Sequence, residues 1–297
     1  MANKPKILVI GQGFLGRVAK EHFGDRAILS SLNTTEPHLL AALIDSFDPD
    51  YVLNAAANTD THGLERGENR VGAIAVNMFL ALTLAQLCVE RGKRVIQPST
   101  GMMIDLGPDG WNKWNENDPP NCPESRLCYY TRQKLAMEHL LLRAGLVDPK
   151  AVIVARFHQP FAGLHHPKNL LSKMRTHTTF LDEQSSFTSY EDALTALDQL
   201  VQNPDACGLF HLTSPGTISH RQIAVKLKAA GLIDEGVPIE PMTRAELDAL
   251  VKERGGAYQP RVLMESTRLR SHGIMMENVE FAVDQAIAKM ANALQPA

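Results

Sequence analysis

Ile7-Leu8-Val9-Ile10-Gly11-Gln12-Gly13-Phe14-Leu15-Gly16 is the stretch that decides the fold. Four apolar residues read as a short buried strand, and a glycine loop then opens what reads as a helix. That order lifts a Gly-x-Gly-x-x-Gly spacing above chance. Gly11 permits a tight turn, Gly13 lets backbone approach a pyrophosphate, and Gly16 lets the helix pack close to the strand. The phosphates would sit on the N–H groups at the positive end of that helix, beside Phe14 and Leu15. The bland alternative is a glycine-rich turn in some other α/β protein.

Outward from the loop, short apolar runs alternate with longer amphipathic ones, as strands alternate with crossover helices in a parallel sheet. Candidate strands lie at 7–10, 27–30, 51–54, 94–97, 151–155 and 209–212. The longest helical stretch covers about 71–91 and stops at Gly92, and another covers about 129–144 and stops at Gly145. Further helices are expected near 189–202, 219–230, 243–254 and 278–294. The expected fold is α/β, a doubly wound parallel Rossmann sheet with a smaller C-terminal substrate domain. The cofactor-binding part takes residues 1–160, with a further strand at 208–213 returning to it, and 161–297 is mainly substrate-binding. Between 105 and 128 a loop rich in Pro, Gly and Asn holds Trp111 and Trp114, which either line a ligand pocket or pin the loop to the core.

The 297 residues are 44% hydrophobic and 21% charged, an ordinary globular balance with ample length for a full core. A net charge of -3 leaves no basic field for nucleic acid or an anionic membrane. Cys88, Cys122, Cys128 and Cys207 lack metal-ligand spacing and read as reduced thiols. His158, His165 and His166 cluster without carboxylate or thiol partners at ligand spacing, so no metal is expected. Residues 1–6 lead directly into the first strand, with no room for a signal peptide. No apolar run is read as approaching the ~20 residues of a bilayer span, and a cytoplasmic location is expected.

An NAD-specific loop is usually followed, about 20 residues on, by an acidic residue that binds the ribose 2′-hydroxyl. Here Ser30, Ser31 and Asn33 occupy that place, and Arg17 follows the glycine loop. With no carboxylate to repel a 2′-phosphate, NADP(H) is the expected cofactor and NAD(H) the alternative. The third strand runs into Asn54-Ala55-Ala56-Ala57-Asn58-Thr59, small residues that leave room at a carboxyl edge.

Thr100 follows the strand at 94–97 and would project at that same edge. Tyr130 and Lys134 stand one helical turn apart on one face. With 13 lysines and five tyrosines in the chain, that spacing arises by chance about a fifth of the time, so only its place after the loop and Thr100 gives it meaning. The alternative is an ordinary exposed helix face. A free tyrosine titrates near ~10, and bringing it toward neutrality takes roughly 4 kcal/mol, part of which a nearby ammonium supplies. In the reductive direction a nicotinamide would deliver hydride to a carbonyl carbon while Tyr130 donates its proton to the oxygen. Thr100 would hydrogen-bond that oxygen, and Lys134 would lower the Tyr130 pKa and hold the nicotinamide ribose.

These residues resemble the extended short-chain dehydrogenase/reductase family, and within it the dTDP-4-dehydrorhamnose reductases and plant-type nucleotide-rhamnose synthase. The likeness runs through Asn54-Ala55-Ala56, Ala75-Val76-Asn77, Ser99-Thr100-Gly101, Glu116-Asn117-Asp118-Pro119 and Tyr130 to Lys134. It continues in His166-Pro167-Lys168-Asn169 with Lys173, and in Leu212-Thr213-Ser214-Pro215-Gly216 leading to Ser219-His220. It implies a nucleotide-diphospho-4-keto-6-deoxyhexose substrate and a homodimer formed through the helices at 71–91 and 129–144. It implies Thr100, Tyr130 and Lys134 as catalytic residues, and Thr59, Met102, Arg156, Asn169 and Lys173 about the substrate. Cofactor contacts are expected from Gly11, Gly13, Phe14, Leu15, Gly16, Arg17, Ser31, Asn54, Ala55, Ala56, Ala57 and Asn77, besides Tyr130 and Lys134. Two of these carry structural alternatives: Asn77 as a cap within its helix and Arg156 as half of an ion pair. The family commonly has a glycine where Ile10 stands. Met102 falls where the bifunctional epimerase/reductases carry a cysteine, and a thioether cannot exchange a proton. Reduction without efficient 3,5-epimerisation is therefore expected. The alternatives are an epimerase or dehydratase with tightly bound NAD and a non-catalytic nucleotide-binding regulatory subunit.

Overall fold

A computed structural model describes residues 4–106 and 113–293. Trp111 lies outside the described residues. Six strands, β1 (Ile7–Ile10), β2 (Ala27–Ser30), β3 (Tyr51–Asn54), β4 (Arg94–Thr100), β5 (Val152–Phe157) and β6 (Gly208–His211), form one sheet in the order β2-β1-β3-β4-β5-β6. Every neighbouring pair is parallel. β1 and β3 are buried throughout, as unbroken apolar runs in a sheet covered on both faces should be. The chain steps from β1 to β2 on one side and returns to β3 on the other. Ligands of doubly wound sheets lie outside the carboxyl ends of the strands at such a reversal, and here the glycine loop and the 54–59 segment both leave from it.

The main helices are α1 (Phe14–Phe23), α2 (Pro37–Phe47), α3 (Thr61–Glu65), α4 (residues 70–90), α5 (Tyr129–Leu142), α6 (Leu170–Met174), α7 (Tyr190–Val201), α8 (His220–Ala229), α9 (Arg244–Glu253), α10 (Thr267–Ser271) and α11 (Val279–Asn292). Side chains of a strand alternate in direction, and the two layers divide accordingly. Ile7 and Val9 pack with α1 and α7 residues such as Val18 and Leu197. Leu8 and Ile10 pack with Leu40, Ile44, Leu84 and Met137 of α2, α4 and α5. Each such fully buried aliphatic side chain contributes roughly 1.5–3 kcal/mol. A second core under the sheet edge gathers Phe161, Leu171, Phe187, Ile223, Val283 and Ile287. α8 and α9 each open with a capping box, Ser219 with Gln222 and Thr243 with Glu246.

Three local features differ from the sequence reading. β4 runs to Thr100 instead of stopping at Gln97, pairing Ser99 with Arg156 and Thr100 with Phe157. Pro98 is tolerated there because β3 ends alongside Ile96, leaving β4 a neighbour on one side only. Second, the helical stretch Arg70–Glu90 spans 21 residues at mean hydropathy 1.9, long and apolar enough to cross a bilayer, which corrects the expectation that no such run exists. Its apolar face is spent on the sheet: Leu80, Leu84, Ala85 and Cys88 are buried in the core. Third, α4 is not uniform. Between Arg70–Ile74 and Leu80–Glu90 it widens into a π-turn at Ala75–Phe79. That turn presents the buried Asn77 to Asn58, whose N–H it accepts at 2.9 Å and whose carbonyl it donates to at 3.0 Å.

Candidate active site

A cavity of about 720 Å³ opens at the carboxyl edge of the sheet. Gly13, Phe14 and Leu15 line it from the glycine loop, and Asn54, Ala55, Ala57 and Thr59 from the segment after β3. Thr100, Met102, Tyr130, Lys134 and Lys173 complete the expected residues on its wall.

The glycine loop is shaped by contact. Gly11 has φ +104, and a β-carbon there would lie 2.6 Å from the Ala56 nitrogen. One on Gly16 would lie 2.0 Å from the Gly11 carbonyl oxygen. Gly11, Gly16 and Ala56 therefore set the turn and stand outside the cavity lining. Gly13 is different, since a β-carbon there would meet nothing within 4 Å. It is the N-cap of α1, whose first turn carries no acidic residue and no side-chain cap. The first N–H groups of the helix are thus left for an anion, and the residues present fit a pyrophosphate. Asn54 bends the chain away from β3 by accepting from Ala56 N–H at 3.3 Å while donating to Gln97 at 2.8 Å. Arg17 and Ser31 are exposed and outside the lining. Arg17 Nε donates to the Gln12 carbonyl at 3.3 Å, and the Gln12 amide donates to the Ser30 carbonyl at 3.1 Å, tying the loop to the end of β2.

Thr100 Oγ1 accepts from Met102 N–H at 3.2 Å, so its own proton is available to another acceptor. Lys134, only 2% exposed, donates to the Pro98 carbonyl at 3.0 Å and holds its Nζ 5.8 Å from the Tyr130 ring centre. Burial pushes Lys134 down to about 8, against the opposing pull of the Glu138 carboxylate. The Tyr130 phenol is raised above its ordinary value by burial, with the charge of Cys128 acting the same way. This direction runs against the expectation of a phenol brought toward neutrality. Desolvation sets the direction of the shift, and the phenol stays protonated as an acid must.

Several expected ligand-binding residues do other work. Arg156 is buried at the end of β5 and grips Glu138 of α5 with two bonds, Nε to Oε1 at 3.0 Å and Nη2 to Oε2 at 2.6 Å. Its remaining arm meets His211 Nε2 at 3.3 Å, and Ser99 donates to Glu138 at 2.5 Å. The substrate assignment of Arg156 is therefore replaced by its ion-pair alternative. Asn169 is fully buried, caps α6 through Leu171 N–H, and donates to the Ala162 and Leu164 carbonyls at 2.8 and 2.7 Å. It shapes the loop leading into Lys173 and does not reach the cavity wall. Asn77 likewise serves structure, donating to Gln133 at 2.7 Å besides its Asn58 bonds. Trp114 bridges to Met264 and pins its loop.

The wall also holds residues that sequence reading missed. Asp60, Thr61 and His62 come from the start of α3, His158 and Gln159 from beyond β5, Tyr190 from α7 and Gln259 from the segment after α9. The Tyr190 ring packs on Phe14 and Phe157 with centroids 5.2 and 5.5 Å apart. Only Gln159 and His158, directly after a strand's carboxyl end, stood where a signal could be read.

A family model described as "RmlD substrate binding domain" matches residues 6–290. The bifunctional dTDP-4-dehydrorhamnose 3,5-epimerase/dTDP-4-dehydrorhamnose reductase of Arabidopsis thaliana is 27% identical over 217 residues, 71% of this chain and 69% of its own length. Among solved structures, the L780 UDP-rhamnose synthase of Acanthamoeba polyphaga mimivirus superposes with a TM-score of 0.81 at 20% identity, covering 97% of this chain and 100% of that one. The dTDP-4-dehydrorhamnose reductase of Bacillus anthracis, in complex with NADP, superposes with a TM-score of 0.80 at 18% identity over 97% and 99% of the two chains. With the glycine-loop cradle, the parallel sheet and a match along nearly the whole chain in agreement, the protein belongs to the RmlD substrate-binding-domain family.

Proposed function

We propose that the protein is an NAD(P)H-dependent reductase of a nucleotide-diphospho-4-keto-6-deoxy sugar, with NADP(H) favoured. One observation carries this reading. Thr100, Tyr130 and Lys134 converge on a cavity that also reaches the uncapped end of α1, so a proton donor and a pyrophosphate cradle share one space. The names of the relatives, reductases and synthases of rhamnose nucleotides, support it.

A reduced nicotinamide bound along this edge supplies the hydride for the carbonyl carbon. Tyr130 donates its phenolic proton to the carbonyl oxygen, and Thr100 donates a hydrogen bond to the same oxygen. Lys134 binds a ribose hydroxyl and offsets the charge left on the phenolate. Gly13, Phe14 and Leu15 hold the pyrophosphate, and Arg17 and Ser31 face the 2′-phosphate. Thr59, Met102 and Lys173 contact the substrate, which the residues beyond 160 mainly enclose. α4 exposes Val71 and Phe79, 83% and 59% accessible, and a homodimer through α4 and α5 completes the reading.

The test is a panel of dTDP-, UDP- and GDP-4-keto-6-deoxyhexoses assayed for NADPH and NADH oxidation with the product sugar identified. Stoichiometric NADPH consumption is expected with at least one of them. Sugar conversion without net consumption would instead identify an epimerase or dehydratase that returns its hydride. Binding without conversion would identify a regulatory subunit.

Two further outcomes follow from the wall. Met102 sits beside Thr100 and cannot exchange a proton, so turnover in deuterium oxide should leave C3 and C5 of the sugar unlabelled. Enzymatic incorporation at either carbon would refute this. The second concerns pH. Lys134 titrates near 8 instead of its usual 10.5, so its ammonium is present below that value and lost as pH rises through it. kcat/KM is expected to fall on that limb, and a profile flat to pH 10 would exclude an ammonium role.

A further inference from the structure

Gln159 is the residue on the cavity wall whose backbone is least at ease. It lies just past β5 with φ +42, the left-handed region that residues with side chains seldom enter. It also precedes Pro160, and a residue before proline is pushed toward extended backbone. Such strain persists only where the surroundings over-determine it, and it gathers at ligand sites. Here the hold comes from the other part of the chain: Nε2 of His220, the first residue of α8, meets Gln159 Oε1. The His220 ring is fixed in turn by edge-on packing against Phe187, with centroids 5.1 Å apart.

The direction of the bond follows from what is left unpaired. His220 Nδ1 is buried with no partner. A buried lone pair is a lesser loss than a buried N–H, so the proton sits on Nε2 and is donated to the Gln159 oxygen. Burial, with Arg244 and His177 nearby, pushes His220 down to about 4 and keeps the ring neutral near pH 7. The Gln159 carboxamide is thereby turned with its oxygen toward His220. Its NH₂ group is not among the buried unpartnered atoms and has no acceptor among the described residues. His158, alongside, is also held neutral, pushed down to about 3 by burial and by His220. The uncharged stretch His158-Gln159-Pro160 of the wall, with its amide donor, suits a neutral oxygen better than a phosphate.

We propose that Gln159 determines specificity by donating a hydrogen bond from its side-chain amide to a neutral oxygen of the substrate's sugar, with His220 as the residue that positions it, resting on the reading of this cavity as a nucleotide-sugar site. dTDP-4-dehydrorhamnose and UDP-4-keto-6-deoxyglucose serve as probes, with NADPH oxidation as the readout. Gln159→Leu keeps the bulk and removes the donor. It should raise KM for the accepted sugar by about tenfold, the loss of one neutral hydrogen bond, with kcat less affected and NADPH affinity unchanged. His220→Phe keeps the ring packing and removes the clamp, and should give a similar KM that adding Gln159→Leu does not worsen. Gln159→Gly removes strain and donor together, so the melting temperature should rise while KM rises as well. A purely structural role would instead lower the melting temperature. If wild-type protein turns a probe over and Gln159→Leu matches it in KM, the inference is overturned and the proposed function stands. If wild-type protein accepts neither probe and no other nucleotide keto sugar, both fall.

Discussion

Tyr130→Phe is expected to lower kcat for keto-sugar reduction by about 10²–10⁴-fold, the range a positioned general acid contributes. The phenol is the proton donor on the cavity wall whose neighbours are Thr100 and Lys134, and burial keeps it protonated. The substitution removes one oxygen and leaves the ring over Lys134, so the fold should be undisturbed. NADPH binding followed by fluorescence, together with an unchanged melting temperature, would confine the loss to chemistry. Unchanged turnover of every accepted substrate would remove Tyr130 from the mechanism.

Glu138→Ala is expected to destabilise the protein by about 3–5 kcal/mol, since it leaves the Arg156 guanidinium buried without its counter-charge. Both side chains are almost fully buried, at 6% and 4% exposed, and the pair is held by two bonds. Ser99 would lose its acceptor too. The midpoint of urea unfolding is the measurement, and a midpoint equal to wild type would show that the pair is dispensable. Replacing Glu138 and Arg156 together by apolar residues of similar volume should cost much less, because no orphaned charge remains. Glu138 also opposes the desolvation of Lys134, so a folded Glu138→Gln protein should lose activity at lower pH than wild type.

Much of the architecture was legible because its causes are local. The apolar run 7–10 and the three glycines after it act through neighbours within a few residues, and sequence order displays them. Gly92 and Gly145 ended their helices for the same reason, with φ +63 and +70. Thr100, Tyr130 and Lys134 were recognisable because a strand end and one helical turn fix where such side chains can go.

Other roles depended on what the fold sets opposite a side chain. Arg156 at a strand's carboxyl end is equally suited to a substrate phosphate or to a carboxylate. α5 places Glu138 against it, and that contact settles its role. Asn169 follows a lysine and a proline like a loop ligand, yet the turn at 162–164 folds back and consumes its hydrogen-bonding capacity. The hydropathy of residues 70–90 could not say whether a sheet or a lipid would cover them. Gln159 and Gln259 share the cavity wall, with His220 bonded to Gln159, only because chain segments up to 100 residues apart meet there. Hydrogen bonds within a strand, turn or helix end join near neighbours and leave a periodic trace in the sequence. A cavity wall and a buried charge pair are made between elements, and no local pattern records which partner arrives.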